Sequence, residues 1–302
     1  MGIAALWLLT DAARGQVFVA NSTTGTVNEF SSDGDLQGTF SASSGPQGIA
    51  LSGSTLFVAS SYSGTIGQYT IGGVEMNASF VASLNAPQAV QVSGGSLYVL
   101  SYDDDGYGVI GKYNASDGTP QNAALISQLE SPGEFAVSDG YAYVTNFAGS
   151  VSKFDINTGE EILNLGETFL TGLDSPWGIA VSGSDLYVTN YNNGTIGKYT
   201  TSGGTTNSTL ISGLTHPWGV AVGGDDLYVS NYGDDSDPDN IILGSVGKYT
   251  VAGGTLNAAL VSTLSGATGI AAIPEPAAWM LLGPSLAGLI LLRSRRREIA
   301  SK

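Results

Sequence analysis

One phrase recurs six times along this chain, and its spacing restricts the possible folds more than any other feature. The phrase reads Pro-x-Gly-apolar-Ala or a close variant of it. Its copies begin at Pro46, Pro87, Pro132, Pro176, Pro217 and Ala267. The steps between them are 41, 45, 44, 41 and 50 residues. Self-similarity at a nearly fixed period indicates a repeat architecture, in which each unit buries its apolar face against a neighbour.

Each repeat contains the pattern of four short strands. The phrase itself is the first, and an alternating segment with Tyr or Phe follows, such as LYVTN at 186–190. After a turn rich in Asn, Asp and Gly come a third segment, such as TIGKYT at 195–200, and a weaker fourth. Short strands separated by such turns predict an all-β fold. Four strands in each period of roughly 40–50 residues are typical of a β-propeller blade, so the sequence predicts a six-bladed β-propeller over residues 16–273.

The two ends of the repeat region complement each other. The region begins on a second-strand phrase, QVFVANS at 16–22, and it ends on a first-strand phrase, ATGIAAI at 267–273. We therefore expect the N-terminal segment to supply three strands of one blade and the C-terminal segment to supply the fourth. Joining the ends in this way closes the ring and leaves no open edge between blades.

Charge and composition exclude several classes of function. Residues 1–273 contain 24 Asp and Glu against 5 Lys and Arg, so the body of the protein would repel phosphate backbones and nucleic acid is not an expected partner. The chain contains no cysteine, which excludes disulfides, a thiol nucleophile and cysteine metal ligands. The lysines of the third-strand phrase, Lys112, Lys153, Lys198 and Lys248, recur with the repeat and are interpreted as solvated strand residues.

The repeated phrases resemble those of a known group of propellers. P-x-G-I-A-V, L-Y-V-T-N and G-T-I-G-K-Y together resemble NHL-type repeats and, more loosely, the propellers of the streptogramin lyase group. The resemblance covers about residues 16–273 and implies the fold. It does not imply one activity, because such propellers perform binding, scaffolding and several enzymatic functions.

Up-and-down strand order predicts a candidate ligand-binding face. It places the connection into each first strand on the same side as the turn between the second and third strands. An aromatic and amide-lined face of this kind would suit sugar rings. Its predicted members are Trp177, Trp218, Asn146, Asn190, Tyr191, Asn231, Tyr232, Tyr62 and Tyr102. The alternative is structural: the tryptophans cover the blade core and the asparagines bond their own turns.

His216 is the only histidine, so it is the one side chain on which a Ser-His-Asp arrangement could depend. The streptogramin lyase resemblance implies a possible general base at such a position. That group has seven blades where this chain has six, and Ala86, Ser131 and Ser175 fill the corresponding turn position in other repeats. We expect a non-catalytic protein, and the alternative is a propeller-type lyase or hydrolase with His216 as base.

Two turns on the same face are rich in acidic residues. One holds Asp103, Asp104 and Asp105, and the other holds Asp234, Asp235, Asp237 and Asp239. Clustered carboxylates on loops suit Ca²⁺, which takes six to eight oxygen ligands. The alternative is a pair of solvated acidic turns. No cofactor is expected apart from this possible calcium ion.

The C-terminal segment, residues 274–302, has the character of a membrane and sorting signal. Pro274, Glu275 and Pro276 precede an uncharged, mostly apolar run at 277–292, which predicts a transmembrane helix. A basic tail follows, with Arg293, Arg295, Arg296 and Arg297. This order closely resembles the PEP-CTERM sorting signal, which implies export and recognition by an exosortase at the membrane. Arginines beside the apolar run predict that the tail stays cytoplasmic.

Export also requires an N-terminal signal. Residues 1–15 include an apolar stretch at 3–9 but lack the positively charged start of a signal peptide, so we interpret them as a truncated signal. The alternative is a strand that leads into the first blade. The expected location is the bacterial cell surface or the extracellular matrix, with a polysaccharide or a surface protein as partner.

Overall fold

The propeller is a complete ring. A computed structural model describes residues 15–163, 168–233 and 243–274, and within these ranges 24 strands form six four-stranded antiparallel sheets. This confirms the predicted all-β, six-bladed propeller. The described residues contain no helix, and hence none long and apolar enough to cross a membrane. The predicted signal peptide, the predicted helix 277–292 and the arginine tail lie outside the described residues.

The six blades follow one another in the chain, each numbered from its inner strand outward. Blade 1 contains β24 (Ala267–Ile273), β1 (Gln16–Asn21), β2 (Thr26–Ser31) and β3 (Leu36–Ser41). Blade 2 contains β4 (Pro46–Ser52), β5 (Thr55–Ser60), β6 (Thr65–Thr70) and β7 (Glu75–Val81). Blade 3 contains β8 (Asn85–Ser93), β9 (Ser96–Tyr102), β10 (Gly108–Asn114) and β11 (Pro120–Leu129).

The remaining blades repeat this order. Blade 4 contains β12 (Pro132–Ser138), β13 (Tyr141–Asn146), β14 (Ser150–Asp155) and β15 (Leu170–Thr171). Blade 5 contains β16 (Pro176–Ser182), β17 (Asp185–Asn190), β18 (Thr195–Thr200) and β19 (Thr205–Ile211). Blade 6 contains β20 (Pro217–Gly223), β21 (Asp226–Asn231), β22 (Gly244–Thr250) and β23 (Thr255–Leu264).

The ring closes where the sequence predicts. β24 pairs antiparallel with β1, and Val19 lies opposite Ile270 in the ladder. The Ser22 N–H donates to the Gly266 carbonyl at 3.0 Å just beyond the paired segment. The innermost strand of blade 1 therefore comes from the last described segment of the chain.

The hydrophobic core lies in the six gaps between adjacent blades. Between blades 4 and 5, for example, Tyr143 and Val151 pack with Ile179, Leu186 and Val188, and all five are buried. The aromatic residues of the second strands, such as Tyr143, fill the wider outer part of each gap. Because apolar burial contributes about 25 cal/mol per Å², these interfaces hold neighbouring blades together around the ring.

The recurrent lysines stabilise third strands. Lys198 Nζ lies 2.8 Å from an Asp185 carboxylate oxygen, and Lys248 Nζ lies 3.0 Å from the carboxylate of Asp226. Lys153, which has no such partner on its neighbouring strand, lies with Nζ 4.0 Å from the centre of the Tyr141 ring. These contacts support the interpretation of the lysines as structural residues.

Candidate functional site

One turn conformation brings the connections of the candidate face together. In every blade, the residue before the inner-strand phrase has a positive φ; the six residues are Gly45, Ala86, Ser131, Ser175, His216 and Gly266. The carbonyls of Ser175 and His216 then accept the N–H groups of Tyr191 and Tyr232 at 3.1 and 3.0 Å. The entrance to each inner strand is thereby fixed beside the turn between its second and third strands, as the strand order predicts.

Six aromatic rings of blades 4, 5 and 6 meet on this face and are called the aromatic cluster below. They are Phe147, Trp177, Tyr191, His216, Trp218 and Tyr232. The two tryptophan rings lie at the centre, with centroids 4.1 Å apart. Phe147 packs edge-on against Trp177 at 5.8 Å, and Tyr232 lies 5.1 Å from Trp218. All the rings except Phe147, which is 39% exposed, are half-buried, so the cluster has both a packed base and a solvent-facing surface.

Three hydroxyl groups hold the backbone on which the tryptophans stand. Thr189 Oγ1 accepts the Gly178 N–H at 2.7 Å and donates to the Trp218 carbonyl of the next blade at 3.0 Å. Thr145 makes the corresponding bonds to the Glu134 N–H and the Trp177 carbonyl. Ser230 joins Gly219 to Thr268 in the same way, with bonds of 3.0 and 2.6 Å.

These hydroxyl clamps occur in blades 4, 5 and 6 only. The corresponding positions of blades 1, 2 and 3 hold Ala20, Ala59 and Leu100, which have no hydroxyl. The inner strands that carry both tryptophans are therefore fixed by side-chain bonds to the preceding blade. A surface held rigid before it meets a ligand loses less conformational entropy on binding.

His216 is part of the aromatic cluster and has a defined tautomer. Its ring stacks on Tyr191, with centroids 4.6 Å apart and an interplanar angle of 11°. Its Nδ1 lies 2.9 Å from the Gly233 carbonyl oxygen. Because a carbonyl can only accept, Nδ1 carries the proton and Nε2 is left as an acceptor when the ring is neutral. The backbone φ of 47° places His216 in the left-handed region, which the glycines of two other blades occupy without strain.

The three predicted asparagines bond within their own hairpins. Asn190 is 3% exposed; its Nδ2 donates to Thr195 Oγ1 at 3.1 Å, and its Oδ1 accepts the Asp174 N–H at 3.2 Å. Asn231 and Asn146 donate from Nδ2 to the hydroxyl groups of Ser245 and Ser150, each at 3.1 Å. These contacts favour the structural alternative stated above for the asparagines.

Tyr62 and Tyr102 lie on other blades from the aromatic cluster. Tyr62 is 79% exposed in blade 2, beside a hollow lined by Ser and Thr side chains. Tyr102 ends the second strand of blade 3, where burial raises the pKa of its hydroxyl group. The predicted face thus divides into an aromatic part on blades 4, 5 and 6 and a more polar part on blades 1 and 2.

The acidic turn of blade 3 is organised around one carboxylate. Asp103 Oδ1 accepts the N–H groups of Asp105 and Tyr107 at 3.0 and 2.9 Å. No three carboxylate or imidazole side chains converge as a metal site in the described ranges. The second acidic turn, with Asp234, Asp235, Asp237 and Asp239, lies outside those ranges. Calcium binding stays a prediction.

An axial cavity of about 210 Å³ lies between the inner strands. Each of these strands is the last of its sheet, so its inner edge presents backbone N–H and C=O groups to the cavity. The side chains of the lining residues are almost all Ala, Val, Ile or Leu; the exceptions are Gln91 and Glu134. Both depart from the repeat: Gln91 replaces the Ala of five other blades, and Glu134 stands where four blades have Gly and blade 3 has Ala89.

Glu134 is an enclosed acid without a basic neighbour. Its Oε2 accepts the Ile179 N–H of blade 5 at 3.4 Å. Burial raises the pKa of Glu134 to about 8, and the Ile179 hydrogen bond offsets only part of that rise. The carboxyl is surrounded by strands on every side, yet the cavity leaves the residue half-buried and within reach of solvent.

The sequence contains signals for features that the initial prediction does not include. Phe147 follows YVTN as Tyr191 and Tyr232 follow their strands, so its position in the repeat identifies it as a member of the cluster. The Glu of PGEFAV is visible as a charged residue at a Gly position. The hydroxyl clamps have no such local signal, since their acceptors lie in the next blade.

Comparisons with known proteins show the fold. The chain is similar to one in the crystal structure of a nidogen/laminin complex, with a TM-score of 0.68 and 15% identity over 86% of this chain and 99% of that chain. It is also similar to a functionally unknown protein from Desulfotomaculum acetoxidans DSM 771, with a TM-score of 0.56 and 14% identity over 87% and 100% of the two chains. No protein-family model and no curated protein sequence matches this chain. At such low identity the structural likeness defines a propeller and carries no activity with it.

Proposed function

We propose that this protein is an exported, non-catalytic propeller that binds polysaccharide at the bacterial cell surface or in the extracellular matrix. The observation that carries the proposal is the aromatic cluster, which is half-buried, held in place by hydroxyl clamps and confined to one part of a face. Sugar rings present apolar C–H faces that pack on aromatic rings, and neighbouring polar groups bond their hydroxyls. A matrix polymer with many identical units would gain further from repeated engagement.

The C-terminal segment supports the proposed destination. Its Pro-Glu-Pro start, apolar run and arginine tail resemble an exosortase sorting signal, so the proposed partners of this segment are an exosortase and the membrane. Expression of the full chain in a host with an exosortase should give surface or matrix localisation. Arg293, Arg295, Arg296 and Arg297 changed together to Ser should leave the protein unsorted, and unchanged localisation of that variant would contradict this part of the proposal.

A glycan array probed with the full-length chain tests the binding function. Trp177→Ala and Trp218→Ala should each remove the signal, because each takes away a central ring of the aromatic cluster. The matched control is Gln47→Ala, at the register position of the tryptophans in blade 2. Absence of binding to every glycan, or equal binding by the tryptophan variants, would refute a polysaccharide-binding face.

A second candidate function is a propeller-type lyase or hydrolase with His216 as general base. The observation that favours it is the Nδ1–H bond to Gly233, which leaves Nε2 free to accept a proton at neutral pH. His216→Ser replaces the residue with the one found at Ser131 and Ser175, where the same backbone conformation occurs. Cleavage of a bound polysaccharide by the wild type and not by this variant would establish the enzyme; binding without cleavage in both would exclude it.

A further inference from the structure

The axial cavity contains an acid whose counter-charge does not come from the protein. The described ranges contain four Lys and Arg residues, Lys112, Lys153, Lys198 and Lys248. Each lies on the third strand of its blade, where it contacts an aromatic ring or an aspartate. None of them lines the cavity, and neither does His216, so Glu134 is the one ionisable side chain among the lining residues.

The cavity also has oxygen atoms that could share a bound cation with this acid. Gln91 is the second polar side chain of the lining and supplies an amide oxygen. The inner edges of β4, β8, β12, β16, β20 and β24 are not paired with further strands, so their carbonyl groups add more oxygens around the axis. Carboxylate, amide and carbonyl oxygens are hard ligands that suit alkali and alkaline-earth cations rather than thiophilic metals.

We propose that the axial cavity is a binding site for one monovalent metal cation, held by the Glu134 carboxylate, the Gln91 amide oxygen and backbone carbonyl oxygens of the inner strands. One carboxylate neutralises one positive charge, whereas a divalent ion would remain a net charge inside an enclosed space. Carbonyl-lined sites elsewhere bind K⁺ by replacing its hydration shell. The acidic body of the protein, with 24 Asp and Glu in residues 1–273, raises the local concentration of cations. This inference does not depend on polysaccharide binding at the face.

Thermal unfolding of the full-length chain at constant ionic strength tests the site. KCl, NaCl or RbCl replaces choline chloride, whose quaternary ammonium ion cannot be coordinated. A saturating metal cation should raise the unfolding midpoint of the wild type by about 3 °C. Glu134→Gln keeps the shape of the side chain and should abolish the rise, whereas Glu75→Gln, an exposed acid of β7, should keep it.

Gln91→Ala restores the residue of the other five blades and should weaken the apparent affinity for the cation roughly 5-fold. Equal midpoints in choline and in all three metal chlorides would overturn the proposal. So would a rise that persists undiminished in Glu134→Gln. Crystals soaked in RbCl give a direct measurement: anomalous scattering should show one peak beside Glu134 in the axial cavity, and an empty cavity with Rb⁺ bound elsewhere would contradict the assignment.

Discussion

Blades 1–3 and blades 4–6 share one backbone plan and differ in what they place on it. At the second position of the inner-strand phrase, blades 5 and 6 have Trp177 and Trp218, whereas blades 2 and 3 have Gln47 and Gln88. The hydroxyl clamps accompany the tryptophans and are missing from the first three blades. Blade 3 contributes polarity at the axis instead, through Gln91.

The difference shows how a repeat protein carries a site. Residues common to all blades build the ring, so they say little about ligands. Residues that occur in only two or three adjacent blades are not required by the ring, and here they converge in space. The aromatic cluster and the axial acid are both recognisable as departures from the repeat.

Removal of one central ring should produce the largest contrast between the two groups of blades. Trp218→Ala is expected to weaken binding of the polysaccharide found on the array by about 30-fold, or about 2 kcal/mol, because a packed aromatic anchor is lost. Gln47→Ala in blade 2 should change the affinity less than about 2-fold. Calorimetric titration measures both, and similar losses in the two variants would mean that binding is not confined to blades 4–6.

Glu134 should make the stability of the ring depend on pH. Its folded-state pKa of about 8 lies above the unfolded value of 4.5, so its favourable contribution is complete below pH 4.5 and is lost as the pH rises through 8. Because the carboxyl is half-buried, we expect a loss of about 2 kcal/mol in the free energy of unfolding between pH 5 and pH 9.

Urea unfolding of the wild type and Glu134→Gln, with choline as the buffer cation, measures this loss. The variant should be less dependent on pH by that amount and more stable than the wild type at pH 9. Glu75→Gln, on the surface of blade 2, should follow the wild type. Parallel curves for wild type and Glu134→Gln would show that another group controls the pH dependence.

The hydroxyl clamps should be worth less, and their loss should be felt mainly as instability. Thr189→Val preserves shape but leaves the Gly178 N–H and the Trp218 carbonyl without their partner, so we expect a loss of about 1.5 kcal/mol. Chemical denaturation measures it, with Thr205→Val on an exposed strand as the control, expected to change stability by less than about 0.5 kcal/mol. A loss no greater than that of the control would remove the clamp from the account of blades 4–6.

The ion pair of blade 5 should have the smallest effect. Lys198→Gln gives blade 5 the residue that blade 2 has at Gln68, which lies at the same register. Since Lys198 and Asp185 are both partly exposed, the change should cost about 0.5 kcal/mol and less in high salt. A loss above about 2 kcal/mol, independent of salt, would show that the blades differ in electrostatics more than in their aromatic residues.

Much of the fold could be predicted from sequence because its determinants are local and repeated. The six phrases fixed the number of blades, the alternation of LYVTN-type segments fixed the second strands, and the matching ends predicted the closure of β1 with β24. The strand order alone placed Trp177, Trp218 and their neighbouring tyrosines on one face.

The rest depended on contacts between blades. The Thr189 hydroxyl has its acceptor 29 residues away, and Glu134 meets Ile179 45 residues later in the chain. No pattern within one repeat specifies such partners. The asparagines mislead for the opposite reason: in a turn motif they look available for a ligand, but short-range bonds to Thr195 and Ser150 already use them.

The pairing of β1 with β24 has a consequence for the order of folding. Thr268 bonds to the carbonyl of Ala20 across 248 residues, so the earliest strands of the polypeptide wait for almost the last ones. Contacts with such large sequence separation form slowly. Blades 2 to 6 can assemble while the chain is still being produced, but β1 to β3 gain their inner strand only when the final segment arrives. Until then the ring is open, and its two exposed blade faces are where a chaperone would bind.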